Sequence, residues 1–267
     1  MKKYFLIGLF IAFSALTNSA KAQIFLGEAF VGLNLCQVDG DQIMGFHKKG
    51  ISAGVGVITP IWTKNNFSLD LSLEVLYNQK GAKQGRKYFD DKIDPITGIP
   101  ITGEYDLSLS YGEVPFMVYF TDKKLVSAGV GVSYARLMSA VEYEHGVKTS
   151  ATATSGDYDQ NEFNILADVK LRVYQRIKLG FRYSYSINKI RTREYHNLDG
   201  TSLGNFNQFN NLFTLRLTYV FNERLEDLHR EEYIYQGDNP KYHEKAVERK
   251  IKRLKKQQER EARRNKQ

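Results

Sequence analysis

The sequence contains very little cysteine and, beyond its first residues, no long apolar run. A single cysteine, Cys36, excludes a disulfide within the chain and a cysteine-based metal site. No later segment reaches the roughly 18 uninterrupted apolar residues of a membrane helix. The sequence also has no glycine-rich phosphate-binding loop after a predicted strand and no HExxH zinc motif. We therefore expect no cofactor, no metal site and no enzymatic activity.

Most of the chain has no excess of positive or negative residues, although the whole chain carries a net charge of +8. Residues 241–267 hold 12 basic and 4 acidic residues, so the first 240 residues hold 26 of each sign and are neutral. The high isoelectric point is thus a property of the C-terminal tail. A basic nucleic-acid-binding domain is not indicated, and we expect no nucleic-acid partner.

The N-terminus has the features of a secretory signal peptide. Lys2 and Lys3 precede an apolar stretch that is too short to span a membrane comfortably, and Ala20-Lys21-Ala22 fits a cleavage site. An uncleaved anchor is the alternative. We predict a signal peptide over 1–22, a β-barrel domain over 23–221, a linker over 222–240 and a basic tail over 241–267.

Alternation with a period of two dominates the region after residue 23. In one example, Phe181, Tyr183, Tyr185 and Ile187 alternate with polar residues, so one strand face is apolar and the other is mostly polar. Eight such segments are predicted, at about 27–38, 50–61, 67–79, 104–120, 125–140, 161–174, 177–190 and 209–221. A proline in Gly112-Glu113-Val114-Pro115 interrupts the fourth segment, where we predict a β-bulge or a bend.

The predicted connections alternate between short and long, which is typical of outer-membrane barrels with short periplasmic turns and longer outer loops. An even number of strands places both termini on the short-turn, periplasmic side. A soluble, lipocalin-like barrel with its apolar face inward is the alternative. Strand length, turn asymmetry and aromatic residues towards strand ends favour the membrane; the predicted interfacial aromatics are Tyr77, Tyr105, Phe163, Phe213, Tyr219 and Phe221.

The polar face of such a barrel would line its lumen. An eight-stranded barrel is just wide enough for side chains to fill, and buried charges must be paired. We therefore predict a salt-bridged plug without a continuous pore. The predicted lumen charge network comprises Asp70, Glu74, Asp168, Lys170, Arg172, Arg182 and Arg216. Small residues on two strands (Gly54, Gly56, Gly129 and Gly131) leave a narrow pore for solutes or ions as an alternative.

The tail has helical spacing but few apolar residues, so it is interpreted as a helical or disordered periplasmic extension. Its charge suggests an arm for an acidic partner: a cell-wall polymer, anionic lipid, or a periplasmic or outer-membrane protein. The predicted partner-binding residues are Arg249, Lys250, Lys252, Arg253, Lys255, Lys256 and Arg260.

Two motifs resemble the PorT-like outer-membrane β-barrel family of Bacteroidota. One runs from Leu73 to Lys83 and contains Glu74, Tyr77 and Lys80-Gly81; the other is Tyr111-Gly112-Glu113-Val114-Pro115-Phe116. The resemblance covers about residues 23–221. It implies an all-β, eight-stranded, antiparallel, up-and-down transmembrane barrel of the OmpA/OmpX kind, embedded in outer-membrane lipid. The family's named member acts in type IX secretion, and the tail lies outside the resemblance.

Three functions remain open at this point. The first is a structural or interaction component of an envelope machine for secretion or outer-membrane protein assembly, with the tail as its arm. The second is the narrow pore. The third is an outer-membrane enzyme built on loop histidines, for which His47, His145 and His196 are the candidates.

Overall fold

The computed structural model of the protein describes residues 25–223 except 65, 89–92, 94–97, 99 and 197–200. The described residues form ten antiparallel strands. These are β1 (Leu26–Asp39), β2 (Lys48–Lys64), β3 (Phe67–Gln84), β4 (Tyr105–Asp122), β5 (Val126–Glu144), β6 (Val147–Lys148), β7 (Asn161–Tyr174), β8 (Ile177–Ser186), β9 (Arg191–His196) and β10 (Ser202–Val220). The described part of the chain has no helix long and apolar enough to cross a membrane.

The sheet closes on itself because β1 pairs with both β2 and β10. The closed ring runs β1-β2-β3-β4-β5-β7-β8-β10, and the short strands β6 and β9 pair with β5 and β10 respectively. Ten strands thus replace the eight predicted. β9 follows β8 after a short break, at which Ile190 N donates to Gln208 O over 2.8 Å. The all-β, antiparallel, barrel-like prediction is confirmed.

The two ends of the barrel differ in the length of their connections. The short-turn end carries the turns 65–66, 123–125 and 175–176. The long-loop end carries the connections 40–47 and 85–104, the connection 145–160, which contains β6, and the connection 187–201, which contains β9. The short turns are tight, and Lys123 and Lys124 adopt φ values of 48° and 54°. Positive φ is uncommon for a residue with a Cβ, so closing the turn in so few residues carries some backbone strain.

An apolar belt surrounds the outside of the barrel from the short-turn end to beyond its middle. Outward side chains there are large, apolar and exposed, and Val130 is 66% exposed. The inward side chains at the same level are polar and buried, and Glu74 is 0% exposed. A soluble barrel has the opposite arrangement, since its apolar face forms the core. The lipocalin-like alternative therefore does not fit the structure.

The polarity of the two faces reverses along β4, although its backbone alternation is unbroken. Between Tyr105 and Tyr111 the inward residues are apolar or aromatic and the outward residues are Asp106, Ser108 and Ser110. From Val114 to Phe120 the outward residues are apolar instead. No bulge lies at 112–115 itself: the β4–β5 register shifts just before it, opposite Ser110 and Tyr111, where Met138 of β5 is the extra residue. Val114 and Pro115 have no ladder partners on β3, although the β3–β4 register is the same on both sides of them.

Aromatic pairs lie on the outer surface at both margins of the apolar belt. Near the short-turn end Phe67 stacks on Phe120 at 5.3 Å between ring centroids, and Tyr219 contacts Phe221 at 4.9 Å. The other margin holds the pairs Tyr134–Phe163 and Tyr183–Phe213, at 5.5 and 4.9 Å. Such girdles mark the two interfaces of a membrane barrel.

Tyr105 was predicted to belong to these girdles, and that prediction is wrong. Tyr105 points inward, is 7% exposed and donates to Glu142 Oε1 over 2.8 Å. It lies on the part of β4 where apolar residues face inward, so alternation assigned it to the wrong face. The predicted signal peptide, the tail and nearly all of the predicted linker lie outside the described residues and remain predictions.

Candidate functional site

The lumen inside the apolar belt is occupied by a network of paired charges. At its centre, Arg182 forms a two-pronged pair with Glu74, with both N–O distances at 2.8 Å. The same guanidinium donates to Asp168 Oδ2 over 2.7 Å. Two parallel charge-assisted bonds fix the orientation of a guanidinium as well as neutralising it. The strands β3, β7 and β8 are thereby joined across the lumen.

Two further cations complete this network. Arg216 donates to Glu74 Oε2 over 3.0 Å and lies 3.6 Å from the centre of the Phe30 ring. Lys170 donates to Glu28 Oε2 over 3.0 Å. With Glu28, Glu74 and Asp168 facing Lys170, Arg182 and Arg216, the network is electrically balanced. Balance matters here because an unpaired charge in a buried position costs several kcal/mol, on the order of 3–5.

Glycines on the inner face make room for large neighbours beside the network. A Cβ on Gly129 would come within 2.4 Å of the Tyr119 ring, and a Cβ on Gly131 would come within 2.5 Å of Met117 Sδ. Tyr119 also donates to Asp168 Oδ2 over 2.7 Å. The glycines of β5 that kept the pore alternative open are therefore covered by side chains from β4.

A second layer of charge lies between this network and the long-loop end. Lys80 pairs with Glu162 at 2.7 Å and with Glu113 at 3.4 Å. Asn78 donates to Glu113 and Asn210 donates to Glu162, each over 2.8 Å. These amides satisfy carboxylate oxygens that a single lysine leaves unpaired. The layer joins β3, β4, β7 and β10 in the same way as the first network joins its strands.

A third cluster lies at the long-loop end, beyond the apolar belt. Arg191 binds Glu142 at 2.9 Å, and its guanidinium also donates to the hydroxyls of Tyr105 and Tyr158. Burial raises the pKa of Glu142, but the hydrogen bonds and charge of Arg191 outweigh burial and the pKa is lowered overall. Glu142 therefore stays ionised, and the cluster ties β5, β9 and the 145–160 connection together.

The structure brings together five of the seven predicted lumen charges: Glu74, Asp168, Lys170, Arg182 and Arg216. The other two lie apart, at the short-turn end. Asp70 accepts a hydrogen bond from Thr121 over 2.7 Å, and Arg172 donates to the carbonyl of Lys124 over 2.7 Å. The prediction of a single network of seven is corrected in these two positions.

Within the central network and the second layer, sequence reasoning missed four buried charges: Glu28, Lys80, Glu113 and Glu162. Glu28 and Glu162 could have been found, because each is on the polar face of a predicted strand. Lys80 was assigned to a loop, since β3 extends five residues beyond its predicted end. Glu113 lies where the polarity of the β4 faces reverses, so alternation along the strand does not assign it to the lumen.

The loop histidines are placed in separate environments. His145 Nδ1 accepts a hydrogen bond from Gly103 N over 3.2 Å, and His196 Nε2 lies 3.7 Å from Glu194 Oε1. His47 follows Gly45, whose carbonyl accepts from its backbone N. No group of three or more metal-ligating residues occurs among the described residues. The predicted partner-binding residues of the tail, from Arg249 to Arg260, lie outside them.

An apolar outer belt with aromatic margins around a charged, paired interior defines a transmembrane β-barrel. The chain belongs to the family described as outer membrane protein beta-barrel domain, whose model matches residues 2–191. This family places the protein in the bacterial outer membrane. The narrower PorT-like assignment and the Bacteroidota origin are not part of that match.

Several solved structures are similar at low sequence identity. Ail of Yersinia pestis, in complex with the heparin analogue sucrose octasulfate, is 13% identical with a TM-score of 0.35, over 74% of this chain and 99% of that one. A major outer membrane protein of Thermus thermophilus is 13% identical with a TM-score of 0.41, over 74% and 99%. Neisserial surface protein A is 15% identical with a TM-score of 0.34, over 73% and 96%. No curated protein matches significantly.

Proposed function

We propose that the protein is a non-conducting outer-membrane anchor that presents its long-loop end and its basic tail to other components of the envelope. In this proposal eight strands cross the membrane, and β6 and β9 lie beyond the bilayer. Both termini are periplasmic, because β1 begins and β10 ends at the short-turn end. The tail is then the periplasmic arm.

The observation that carries the proposal is the filled lumen. Glu74, Lys80 and Arg216 are 0%, 1% and 2% exposed. A channel wide enough for water would expose side chains that point towards the barrel axis. Each of these residues also takes part in an ion pair that reaches another strand. A pore would require these pairs to separate, which argues against the transport alternative.

Planar-bilayer recording of the purified full-length protein tests this part of the proposal. We expect no conductance above the lipid background, while a general porin inserted by the same procedure gives steady openings. A folded, heat-modifiable sample must be used, so that silence does not arise from failed insertion. Reproducible openings that depend on the amount of inserted protein would contradict the proposal and restore the narrow pore.

The arm is proposed to bind an acidic periplasmic partner, either a cell-wall polymer or a protein of a secretion or assembly machine. Its support is the concentration of the chain's net charge in residues 241–267. The experiment is crosslinking in the native envelope, with the intact protein, a variant lacking 241–267 and a variant with the tail residues scrambled.

Loss of a crosslinked partner on deletion, with recovery in the scrambled tail, is the expected result for an electrostatic arm. The scrambled tail does not restore the partner if a defined helix face is required. Val247, Ile251 and Leu254, which have the i, i+4, i+7 spacing of one helix face, are then the residues to replace. If deletion of the tail leaves the set of crosslinked partners unchanged, the proposed role of the tail as a binding arm is contradicted. We further propose that the protein has no catalytic role; a turnover abolished by replacing His145 or His196 would overturn this.

A further inference from the structure

The 40–47 connection crosses the rim of the barrel and continues on its outer wall. In its first half, Ile43 packs against the buried apolar residues of the long-loop end. In its second half, Phe46 contacts the ring of Phe213, which points outward from β10. We propose that this second half, the outer segment (residues 44–47), binds the lipid leaflet that borders the long-loop end.

Two contacts attach the outer segment to the wall of the barrel. The centroids of the Phe46 and Phe213 rings are 5.1 Å apart, and Phe213 also contacts Tyr183 at 4.9 Å. The backbone N of Gly45 donates to Gln37 Oε1 over 3.1 Å. Gln37 is on the outer face of β1, which pairs with the strand of Phe213. The segment is therefore held at the upper aromatic margin of the apolar belt.

A tight turn shapes the outer segment. Gly45 has a φ of 103°, a conformation that a residue with a Cβ rarely adopts. A Cβ at this position would come within 2.8 Å of His47 Nε2. The backbone N of His47 donates to the carbonyl of Gly45 over 3.0 Å and closes the turn. The segment thus has a defined backbone, although it belongs to a connection between strands.

Met44 is the residue of the outer segment that the protein leaves uncovered. It is 88% exposed, more than any other large apolar side chain of the described residues. Its Cα is only about 3.8 Å along the chain from that of Gly45, whose N–H is bound to the outer wall. A flexible, unbranched methionine fits among irregular partners such as acyl chains. Lipid would remove this apolar surface from water.

The apolar belt reaches the outer segment without a break. Along β1 the outward side chains Val31, Leu33 and Leu35 are all exposed. Leu35 is the ladder partner of Phe213, whose ring Phe46 contacts. Because the segment continues a surface that already meets lipid, we assign the lipid leaflet as its partner and not a soluble protein.

Charged residues mark where the chain leaves the lipid. Lys48 and Lys49 follow the outer segment directly. Lys48 forms an ion pair with Asp106 on β4, whereas Lys49 is exposed and lies opposite Leu35 in the β1–β2 ladder. A lysine beside apolar and aromatic side chains can extend its ammonium group to the headgroups. This order of residues fits the lipid–water interface.

Spin-label accessibility in phosphatidylcholine nanodiscs that hold one copy of the full-length protein tests the proposal. A nitroxide is attached at Met44→Cys in a Cys36→Ser background. Its relaxation by oxygen, which dissolves in lipid, is compared with that by a water-soluble nickel chelate. We expect the oxygen-to-nickel ratio to be about threefold higher than at Ser150→Cys, an exposed position of the 145–160 connection. Val130→Cys in the belt is the lipid reference.

A second variant tests how the outer segment is held. Phe46→Ala removes the contact with Phe213, so the ratio at Met44→Cys should fall to that at Ser150→Cys. Tyr143→Ala is the matched control and should leave the ratio unchanged, since Tyr143 is an exposed aromatic residue of the same end. Heat-modifiable migration verifies that each variant is folded.

Three outcomes would overturn the proposal. The first is a ratio at Met44→Cys no higher than at Ser150→Cys. The second is a high ratio that Phe46→Ala leaves unchanged. The third is a high ratio found only in discs that hold two copies, because a second chain and not lipid then covers Met44. Conductance and crosslinking of the tail play no part in this readout, so its failure would leave the non-conducting anchor and its arm untouched.

Discussion

The apolar belt and the long-loop end are built from the same strands but have opposite polarity. In the belt, Val130 and Phe116 point outward while Glu74 and Arg182 point inward. At the long-loop end, the buried inner side chains include Leu107, Leu109 and Ile190, each 0% exposed, and polar residues face outward. The first region is arranged for lipid and the second for water.

The two regions of the barrel are therefore stabilised by different interactions. Outside the membrane, burial of apolar side chains is the main favourable term, so the long-loop end has an ordinary apolar core. In the belt the outer side chains contact lipid, and moving apolar side chains from lipid into the barrel would yield little free energy. The belt is therefore stabilised by charge pairs and hydrogen bonds on its inner face. We expect substitutions of the same kind to have different effects in the two regions.

The largest effect is expected from Arg182→Met in the belt. This change removes one of the two cations that pair with both Glu74 and Asp168. Three buried carboxylates then face two cations, and the one uncompensated charge costs about 3–5 kcal/mol. Urea unfolding of vesicle-inserted protein, followed by the fluorescence of the single tryptophan, Trp62, measures the loss. Arg136→Met is the control, since Arg136 is exposed and should change stability by less than about 0.5 kcal/mol. Equal midpoints for the two variants would contradict a network that holds the lumen together.

A charge placed on the outer face of β5 should discriminate the two regions directly. Val130→Arg puts the charge into the apolar belt and should cost roughly 2–4 kcal/mol, whereas Met138→Arg lies towards the long-loop end and should cost about 0–1. Both side chains are outward and more than half exposed, at 66% and 55%. The same unfolding measurement applies, and a similar cost at both positions would remove the proposed boundary between them.

A smaller effect is expected for Tyr158→Phe at the long-loop end. The hydroxyl accepts from Arg191 over 2.6 Å and donates to Glu142 over 3.1 Å. Its removal should destabilise the 145–160 connection by about 1–2 kcal/mol without affecting the belt. Hydrogen exchange of the backbone amides in both regions measures this, with Tyr143→Phe as the control. Faster exchange in the belt would show that the two regions are not independent.

The smallest effect is expected from pH. Burial raises the pKa of Asp41 from 3.8 to about 6. The folded protein then binds this proton more tightly than the unfolded chain, so the long-loop end gains stability as the pH falls from about 6 towards 3.8. Between pH 7 and pH 5 the gain is roughly 1 kcal/mol. Hydrogen exchange of the 40–47 connection at both pH values measures it, and Asp41→Asn should remove the dependence.

Strand positions followed from the sequence because alternation assigns faces directly. It also placed Glu74, Asp168 and Arg182 on one face, and these three meet in the lumen. Alternation does not indicate whether the outer face meets lipid or water at a given position along the strand. Tyr105 and Glu113 were therefore misjudged, since both lie where lipid gives way to water along one strand. Which charges pair also depends on register between strands that are distant in sequence, as in Lys80 with Glu162, and a single strand carries no information about that.

The position on β4 at which the polarity of the two faces reverses sets how far the long-loop end extends beyond the lipid. From Tyr105 to Gly112 the strand has a water-facing outer surface. At about 3.4 Å per residue and a tilt of roughly 40°, this length corresponds to a height of about 20 Å. The Arg191–Glu142 cluster at the long-loop end is therefore held clear of the lipid. A sequence change that moved the reversal by one pair of residues would lower or lift that cluster relative to the lipid without altering any residue in it.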